Sequence, residues 1–451
     1  MADPTSKNHN KVVLVVGACC LDRLLSVATF PIADSKIRTT AHHEVGGGGA
    51  ANTAVAMGRL CRSSFLRENN AGFTIKLLTK MGGDTIGHQL QQDLKDNGVD
   101  TSQVHRGGPG TTTGLCTIIV SQEEAPAEPT RTCLWTPGTC GDLSLQDLGS
   151  LEELFENVIH LHSDGRHIDV ALALAKEARR RGISVTVDAE KDRNSTKQDA
   201  LLELSTCLFT NAGQLEDYFK RRTMDLEEEH GTQQKMTTLK ELPNEKDCTI
   251  EKGTRNFKIK SIFGKSIRPS SFYLLWYGAS QLQKSVVITK GQLGALHIQP
   301  IQLLETIKED DSSFVQSVTP IHFENGTLQT TFVIEQIQQA STSSDGSKRR
   351  KTKSQFKVKT TGVLKDLTMV DTTGAGDAFI GGYLVWRLRY TEDDDALALQ
   401  FGAWVAGQKL QGPGAQTALP TAAQVDEQLG RTKEEVECSL HKLIGAFGDN
   451  I

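Results

Sequence analysis

The chain has 451 residues, of which 37% are hydrophobic and 23% charged, and its net charge is −5. These values are ordinary for a globular protein of one large domain or two, and they argue against nucleic acid as its main partner. The nine cysteines form no CxxC pair, so neither structural zinc nor a disulfide scaffold is expected. The polar start and the absence of a long apolar stretch predict no secretory signal, no membrane partner and a cytoplasmic location.

Short apolar runs rich in β-branched residues alternate with helical patterns along the chain. Buried strands are predicted over 11–17, 75–83, 157–163, 182–190, 207–211 and 285–294. Helices are predicted over Gly87–Val99, where Leu90 and Leu94 share a face and Gly98 ends the pattern, and over Ala171–Arg181. This alternation predicts an α/β fold with a mostly parallel central sheet.

Two stretches interrupt the alternation. Residues from about 218 to 269 and from about 299 to 365 are polar or charged and lack a sustained period. Long structureless loops are uncommon inside compact domains, so both stretches are predicted to be partly disordered surface insertions. Deleting about Ser341 to Gln355 is accordingly expected to leave folding nearly intact.

The strongest chemical signal is MVDTTGAGDAF, from Met369 to Phe379. A strand end at 368–370 is predicted to lead through glycines into a helix. Such a helix start aims backbone N–H groups and the positive end of the helix dipole at an anion, for example a phosphoryl group in transfer. Asp377, in the first turn, would stand where it can take a proton from an attacking hydroxyl. The alternative is that Asp377 only favours a helix N-terminus.

This segment resembles the signature of the PfkB/ribokinase-like carbohydrate kinases, and other blocks of that family occur in the family's order. They are GACCLDRL from Gly17, VGGGGAANTAVAMGRL from Val45, KMGGDTIGHQL from Lys80 and VVITKGQLGAL from Val286. Within the family, the segments HLHSDGRHID, VDAEKDR and ALQFGAWVAGQK resemble the ketohexokinase branch most. The resemblance implies a ribokinase-like three-layer α/β sandwich, with a central mostly parallel sheet and a small β-sheet lid from about 28–45 and 114–135.

The organisation that the resemblance implies is a flexible tail at 1–10, a PfkB/ribokinase-like kinase domain over 11–430 that carries the lid and both insertions, and a C-terminal helix and tail over 431–451. The implied reaction is transfer of the γ-phosphoryl group of ATP to a hydroxymethyl group of a sugar or related small molecule. ATP would be the co-substrate with Mg²⁺, and K⁺ is a further candidate ion. A homodimer through the lid is also expected.

The resemblance assigns roles to individual residues of this chain. The catalytic set is the base Asp377 and the anion hole Gly374, Ala375 and Gly376. The acceptor-binding set is Asp22, Asp34, Gly48 and Asn52. The ATP-binding set is Asn211, Thr289, Gly291, Gly294, Thr373, Gly402, Ala403, Lys191 and Arg131. No metal ligand is assigned.

Two departures from the family pattern keep other functions open. Gly49 stands where relatives carry a lysine or asparagine that contacts the substrate, and Gln214 stands where a glutamate orders magnesium and phosphates. One alternative is a nucleoside kinase of the same fold, which would need an apolar or aromatic slot for the base. The other is a non-catalytic regulator that binds a sugar or nucleotide, although such a protein would not need Asp377.

Overall fold

The computed structural model describes residues 11–67, 72–121, 130–191, 193, 195–211, 284–307, 316–319, 323–324, 327–338, 350–390 and 395–445. These residues form two compact units. The first lies within Met1–Asp188, Ser195–Ser205 and Leu364–Leu443, and the second within Ala189–Asn194, Thr206–Val363 and Ile444–Ile451. The expected tail at 1–10, the expected insertion at 218–269 and Gln214 lie outside the described residues.

The main sheet of the first unit consists of parallel strands. They are β1 (Lys11–Val16), β4 (Phe73–Met81), β5 (Val99–Asp100), β6 (Val104–Arg106), β9 (Val158–Ser163) and β10 (Ser184–Asp188). The order is β10-β9-β1-β4-β5, and β6 also pairs with β4. Val13, Leu14, Val15 and Val16 have no solvent exposure, as expected for a strand covered on both faces. The predicted strands at these positions are confirmed.

A second, smaller sheet in the same unit contains β2 (Cys20–Val27), β3 (Ala41–Gly47), β7 (Leu115–Ser121) and β8 (Thr130–Thr136). The order is β3-β2-β7-β8, in which β2 and β7 are parallel and the other pairs antiparallel. The predicted small sheet is therefore confirmed, but its boundaries differ. Most of residues 28–40 form a loop, and β2 begins eight residues before the expected lid because β2 follows β1 almost directly.

All the α-helices that the structure describes belong to the first unit. They are α1 (Gly49–Leu60), α2 (Ser64–Arg67), α3 (Thr85–Asp96), α4 (Leu151–Leu154), α5 (Ile168–Arg180), α6 (Thr196–Leu204), α7 (Ala375–Arg389), α8 (Asp395–Lys409), α9 (Ala422–Gln428) and α10 (Lys433–Leu443). The predicted helices near 87–99 and 171–181 correspond to α3 and α5. Asp84 caps α3 by accepting a hydrogen bond from the Gly87 N–H at 2.9 Å. Each described helix is too short or too polar to span a membrane.

Helices α7 and α8 form the most aromatic part of the core. The Trp386 ring of α7 lies 5.9 Å from Phe65 of α2 and 5.5 Å from Phe401 of α8, measured between ring centroids. Trp386, Phe65 and Phe401 have no solvent exposure. Gly381 lets α7 approach α1, because a Cβ there would lie 2.7 Å from the Ala56 Cβ. This packing fixes the position at which α7 begins.

The second unit is formed by strands. They are β11 (Cys207–Asn211), β12 (Ser285–Thr289), β13 (Ala295–Ile307), β14 (Gln316–Thr319), β15 (Phe323–Glu324), β16 (Thr327–Gln338) and β17 (Arg350–Thr361). β11 and β12 are parallel, and the remaining pairs are antiparallel, with β17 between β13 and β16.

The expectation of an irregular insertion over 299–365 is wrong for its described part, which forms most of these antiparallel strands. Threonines, glutamines and lysines alternate with few apolar residues there, so no hydrophobic period marks the strands, and pairing between distant segments decides the structure. The expected tolerance to deletion of Ser341–Gln355 is revised as well. Gln355 of β17 pairs with Gln302 on one side and Val333 on the other, so this deletion would open the sheet.

Candidate functional site

The segment that leads into α7 is an extended loop and not the predicted strand end at 368–370. The backbone N–H groups of Val370 and Asp371 donate to the Leu410 carbonyl at 2.7 and 3.2 Å. The strand prediction is wrong because these residues pair with the turn that follows α8, whereas a strand would need a neighbour in a sheet. The loop is therefore held at the end of a helix.

Asp371 holds this loop from inside. Its carboxylate accepts hydrogen bonds from the Thr373 backbone (2.9 Å) and hydroxyl (2.8 Å) and from the Gly414 backbone (2.6 Å). Burial alone would raise the pKa of Asp371, but the Lys409 ammonium and these hydrogen bonds lower it below its ordinary value. Asp371 is thus an ionised carboxylate that fixes the conformation of the loop.

The N-terminus of α7 has the geometry of an anion site. Gly374 is the N-cap residue with φ of 74°, and a Cβ at this position would lie 2.5 Å from the Ala415 Cβ, so glycine is required there. Gly376 is exposed, and a Cβ added there would meet nothing within 4 Å. The backbone of Gly374, Ala375 and Gly376 is therefore accessible to a ligand at the positive end of the helix.

Asp377 lies in the first turn of α7 and is oriented by a chain of amides. The Asn52 Nδ2 donates to the Asp377 Oδ2 at 2.8 Å, and the Gln416 Nε2 donates to the Asn52 Oδ1 at 2.9 Å. Asn52 and Gln416 are 5% and 6% exposed, so these bonds are protected from water. The three residues come from α1, from α7 and from the loop after α8. Gln416 was missed by sequence reasoning, since nothing local marks it.

Asp22, on β2 of the small sheet, is 5% exposed. Burial raises the pKa of its carboxyl to about 6, with the charge of Asp371 adding to the rise and a hydrogen bond from the Cys20 thiol opposing it. Gly47 makes room for this side chain, because a Cβ there would lie 2.1 Å from the Asp22 Cγ. Among the residues that the structure describes, no cation lies at ion-pair distance from Asp22. Such a buried carboxyl is costly, which is typical of a functional site.

Asp164, which follows β9, is a further carboxylate of the site that sequence reasoning did not select. Its Oδ2 accepts from the backbone N–H groups of Ala18 (2.9 Å) and Ala50 (3.0 Å), and its Oδ1 accepts from the backbone N–H of Arg166 at 2.9 Å. It therefore joins the end of β1 to the first turn of α1. Its position at the end of a buried parallel strand is the signal that could have identified it.

Gly49 lies between two carboxylates. A Cβ at this position would be 3.3 Å from the Asp164 Oδ2 and 3.5 Å from the Asp377 Oδ1. Gly48, just before it, has φ of 95° and approaches Ala18 so closely that a Cβ would lie 2.4 Å from the Ala18 carbonyl oxygen. The glycines thus allow the backbone to pass close to β1 and leave the space beside Asp377 without a side chain.

The remaining predicted residues of the first unit have different surroundings. Arg131 of β8 donates to the Thr372 hydroxyl at 3.1 Å and so reaches the loop before α7. Thr373 of the same loop is buried, and its hydroxyl donates to Asp371. Asp34 is exposed in the loop between β2 and β3, with φ of 61°. Gly402 and Ala403 are buried in α8, and a Cβ on Gly402 would lie 2.8 Å from the Phe379 carbonyl oxygen. Helix packing accounts for Gly402, and its contact with ATP stays a prediction.

The second unit brings four of the predicted ATP-binding residues together. Asn211 and Thr289 are paired residues at the carboxyl ends of the parallel strands β11 and β12. Gly291 and Gly294 follow in the turn before β13, with φ of 55° and 99°, and a Cβ on Gly294 would overlap the backbone of β17. Lys191 is exposed in the segment before β11. Carboxyl ends of parallel strands are the usual place for a ligand.

The structure also bears on the ions that the resemblance implies. Among the described residues, no group of three or more histidine, cysteine, aspartate or glutamate side chains could hold a metal ion. Mg²⁺ fits as an ion that arrives with the nucleotide and keeps phosphate and water ligands. K⁺ does not fit at the loop before α7, because the Lys409 ammonium already lies among the oxygens of Asp371 and Gly412.

Comparison with known proteins identifies the family. The model of the pfkB family carbohydrate kinases matches residues 10–242 and 340–422, which is more than half of the chain. The chain belongs to the PfkB family of carbohydrate kinases. The family prediction is therefore confirmed. Membership of this family also supports the prediction of an ATP-dependent kinase. The assignment to the ketohexokinase branch has no support among these comparisons and stays a prediction.

Individual relatives agree with this family. The ATP-dependent ribose-1-phosphate kinase of Halopiger xanaduensis is 26% identical over 212 residues, which are 46% of this chain and 65% of that protein. The match thus spans less than two thirds of that relative. Ribokinase from Giardia lamblia has a TM-score of 0.59 at 16% identity, covering 94% of this chain and 99% of its own. Arabidopsis thaliana ribokinase, solved with ribose and ATP, has a TM-score of 0.56 at 15% identity, covering 93% and 98%. These two structures confirm the ribokinase-like fold.

Proposed function

We propose that this protein is an ATP-dependent kinase that phosphorylates a hydroxymethyl group of a sugar or related small molecule, with Asp377 as the general base. The observation that carries the proposal is the position of Asp377 in the first turn of α7, where Asn52 holds one oxygen of its carboxylate at 2.8 Å. A base oriented by a buried hydrogen bond, beside a helix N-terminus that binds anions, is the arrangement that phosphoryl transfer requires.

The proposed reaction moves one proton and one phosphoryl group. The acceptor hydroxyl gives its proton to the Asp377 carboxylate while its oxygen forms a bond to the γ-phosphorus of ATP. The bond from that phosphorus to the β–γ bridging oxygen breaks, and ADP leaves. The backbone N–H groups of Gly374, Ala375 and Gly376 stabilise the charge on the transferring group. Mg²⁺ bound with ATP would neutralise part of the phosphate charge.

Carboxyl groups bind the acceptor in this proposal. Asp22 and Asp164 are both buried, and each offers oxygens that can accept hydrogen bonds from neighbouring hydroxyls. Gly49 leaves space between Asp164 and Asp377 where relatives carry a side chain. We therefore infer a polyhydroxylated acceptor that is bulkier beside this position than the acceptors of those relatives. Gly48 would contribute only its backbone.

Nucleotide binding is proposed for the residues at the ends of β11 and β12. The paired positions of Asn211 and Thr289, and the glycine turn that follows, support this proposal. The proposal also includes the other residues that the family resemblance assigns to ATP binding, which are Thr373, Gly402, Ala403, Lys191 and Arg131. Of these, Arg131 has the clearest support, because it donates to Thr372 in the loop before α7.

A nucleoside is the second candidate acceptor, and one observation favours it. In the small sheet Asp22 pairs with Cys116, and Cys116 pairs with Trp135, so the three side chains share one face. Trp135 is 52% exposed. An exposed indole on the face of the buried carboxyl could stack on a nucleobase as well as on a sugar ring.

The proposal is tested by ATP turnover with the purified protein. Sugars, sugar phosphates and nucleosides are screened first by thermal shift, and ADP release is then measured with and without each compound that binds. We expect ADP release to depend on an acceptor with a primary hydroxyl. Binding of acceptor and ATP without turnover would support the non-catalytic regulator.

The role of Asp377 is tested by Asp377→Asn. Asparagine keeps the shape of the side chain and an oxygen that can bond to the Asn52 amide, but it cannot take a proton at neutral pH. We expect kcat to fall by about 10²–10⁴-fold while both ligands still bind. A variant with nearly full activity would show that Asp377 only favours the helix N-terminus, since asparagine is accepted there.

A further inference from the structure

Lys409 is the last residue of α8, and its side chain has no solvent exposure. A buried ammonium is costly unless it is paired and hydrogen-bonded. The Lys409 Nζ donates to the Asp371 carbonyl oxygen at 2.7 Å and to the Gly412 carbonyl oxygen at 3.4 Å, and it lies 4.0 Å from the Asp371 Oδ2. Its partners are therefore oxygens of two loops that flank the start of α7.

These oxygens are the kind that bind a monovalent cation. Carbonyl oxygens and a carboxylate replace the hydration shell of such ions in proteins. They also belong to the segments that shape the anion hole, because the Asp371 carboxylate accepts hydrogen bonds from Thr373 and from Gly414. Without a positive charge here, the buried Asp371 carboxylate would lose the ammonium that it faces, and the two loops would lose their common partner.

We propose that Lys409 is a positioning residue that supplies this cation covalently, so that the loop before α7 keeps its catalytic shape without added K⁺. Its catalytic consequence rests on the proposed kinase function, whereas the ordering of the loop does not. A second cation at the same oxygens is disfavoured, because two like charges a few ångströms apart repel strongly in a buried site.

The charge on Lys409 gives this role a pH dependence. Burial lowers its pKa to about 8, the Asp371 carboxylate and Asp377 oppose that fall, and Arg131 adds to it. Below pH 8 the ammonium is present and the loop is held. As the pH rises through 8, the ammonium is lost and kcat should fall with it. A variant without the lysine should not show this fall.

Two variants separate the cation from the packing of the side chain. Lys409→Ala removes the ammonium and opens space for a small ion, whereas Lys409→Met keeps the length of the side chain without its charge and leaves no such space. Lys365→Ala is the matched control, because the Lys365 Nζ also donates to a carbonyl oxygen, that of Lys442 at 3.1 Å, but in an exposed position.

The experiment measures thermal unfolding and kcat at an ionic strength held at about 0.1 M with choline, K⁺, ammonium or methylammonium chloride. The wild type and Lys365→Ala should be indifferent to the cation. Lys409→Ala should lose about 10–100-fold in kcat in choline, as is typical when a residue supporting a site is removed, and K⁺ or methylammonium should restore both kcat and the unfolding temperature. Lys409→Met should not be restored by any of them, and its pH profile should lack the fall above pH 8.

Three results would overturn the proposal. They are stimulation of the wild type by K⁺, a Lys409→Ala variant that no cation improves in either measurement, and a Lys409→Met variant as active as the wild type with the same pH profile. If the wild type phosphorylates no acceptor, the proposed kinase function fails, and the response of the unfolding temperature of Lys409→Ala to cations still decides the role of Lys409.

Discussion

Replacing Asp22 by asparagine should stabilise the protein and weaken acceptor binding at the same time. Burial raises the pKa of Asp22 from 3.8 to about 6, so the folded chain binds this proton more tightly than the unfolded chain. Stability from the protonated carboxyl is present below pH 4 and is lost as the pH rises through 6. At pH 7 the folded state therefore carries a penalty of up to about 3 kcal/mol, at roughly 1.4 kcal/mol for each pKa unit. Asparagine carries no charge and avoids this penalty.

The assay compares urea unfolding of the wild type and Asp22→Asn at pH 7 and at pH 4. The variant should be more stable at pH 7, by up to the same about 3 kcal/mol, and the difference should shrink at pH 4. The KM of the acceptor should rise about tenfold or more, because a hydrogen bond to a charged group contributes about 1.5–3 kcal/mol. Asp366→Asn, at an exposed carboxylate that belongs to none of the proposed binding sets, is the control and should change neither quantity. An equal effect on stability at both pH values would refute the argument.

Three further predictions test the site, the core and the lid. Gln416→Leu removes the amide that orients Asn52, so kcat should fall about tenfold with the KM of ATP unchanged, and an unaltered kcat in steady-state kinetics would contradict this role. Trp386→Ala should lower the free energy of unfolding by about 3–5 kcal/mol in urea titrations, because the ring is fully buried. A decrease below about 1 kcal/mol, which is the effect of removing about one buried methylene group, would contradict the packing described. The lid leaves Leu134 and Trp135 half exposed, so we expect a homodimer that Leu134→Glu weakens; light scattering that finds only monomer in the wild type would refute it.

Much of the first unit could be predicted because its elements carry local signals. The strand Lys11–Val16 is a continuous apolar run with a glycine after it, and α3 has a capping aspartate at one end and Gly98 at the other. The antiparallel strands of the second unit could not be predicted in the same way. β16 and β17 contain many polar residues on both faces, and their stability depends on pairing with segments distant in sequence.

The same distinction applies to the candidate site. The motif around Asp377 is contiguous and could be found by its glycines and its carboxylate. Asp164 could have been found from its position after β9, whereas Gln416 and Lys409 owe their roles to Asn52 and Asp371, which are far away in the chain. Lys409, at the end of an apolar helix, had the pattern of a basic residue that favours a helix C-terminus, and only its burial distinguishes it from a surface lysine.

The choice between a catalytic and a merely structural Asp377 depends on these distant contacts. The N-cap of α7 is Gly374, so capping does not require a carboxylate three residues later. The Asp377 carboxylate instead accepts a hydrogen bond from Asn52, whose own oxygen is held by Gln416. A helix start needs none of these amides, whereas a base must be held in one orientation toward its proton. The two buried amides therefore support the proposed role of Asp377 as a base. Gln416→Leu tests that role, because it removes the amide that orients Asn52 and leaves the residues of α7 unchanged.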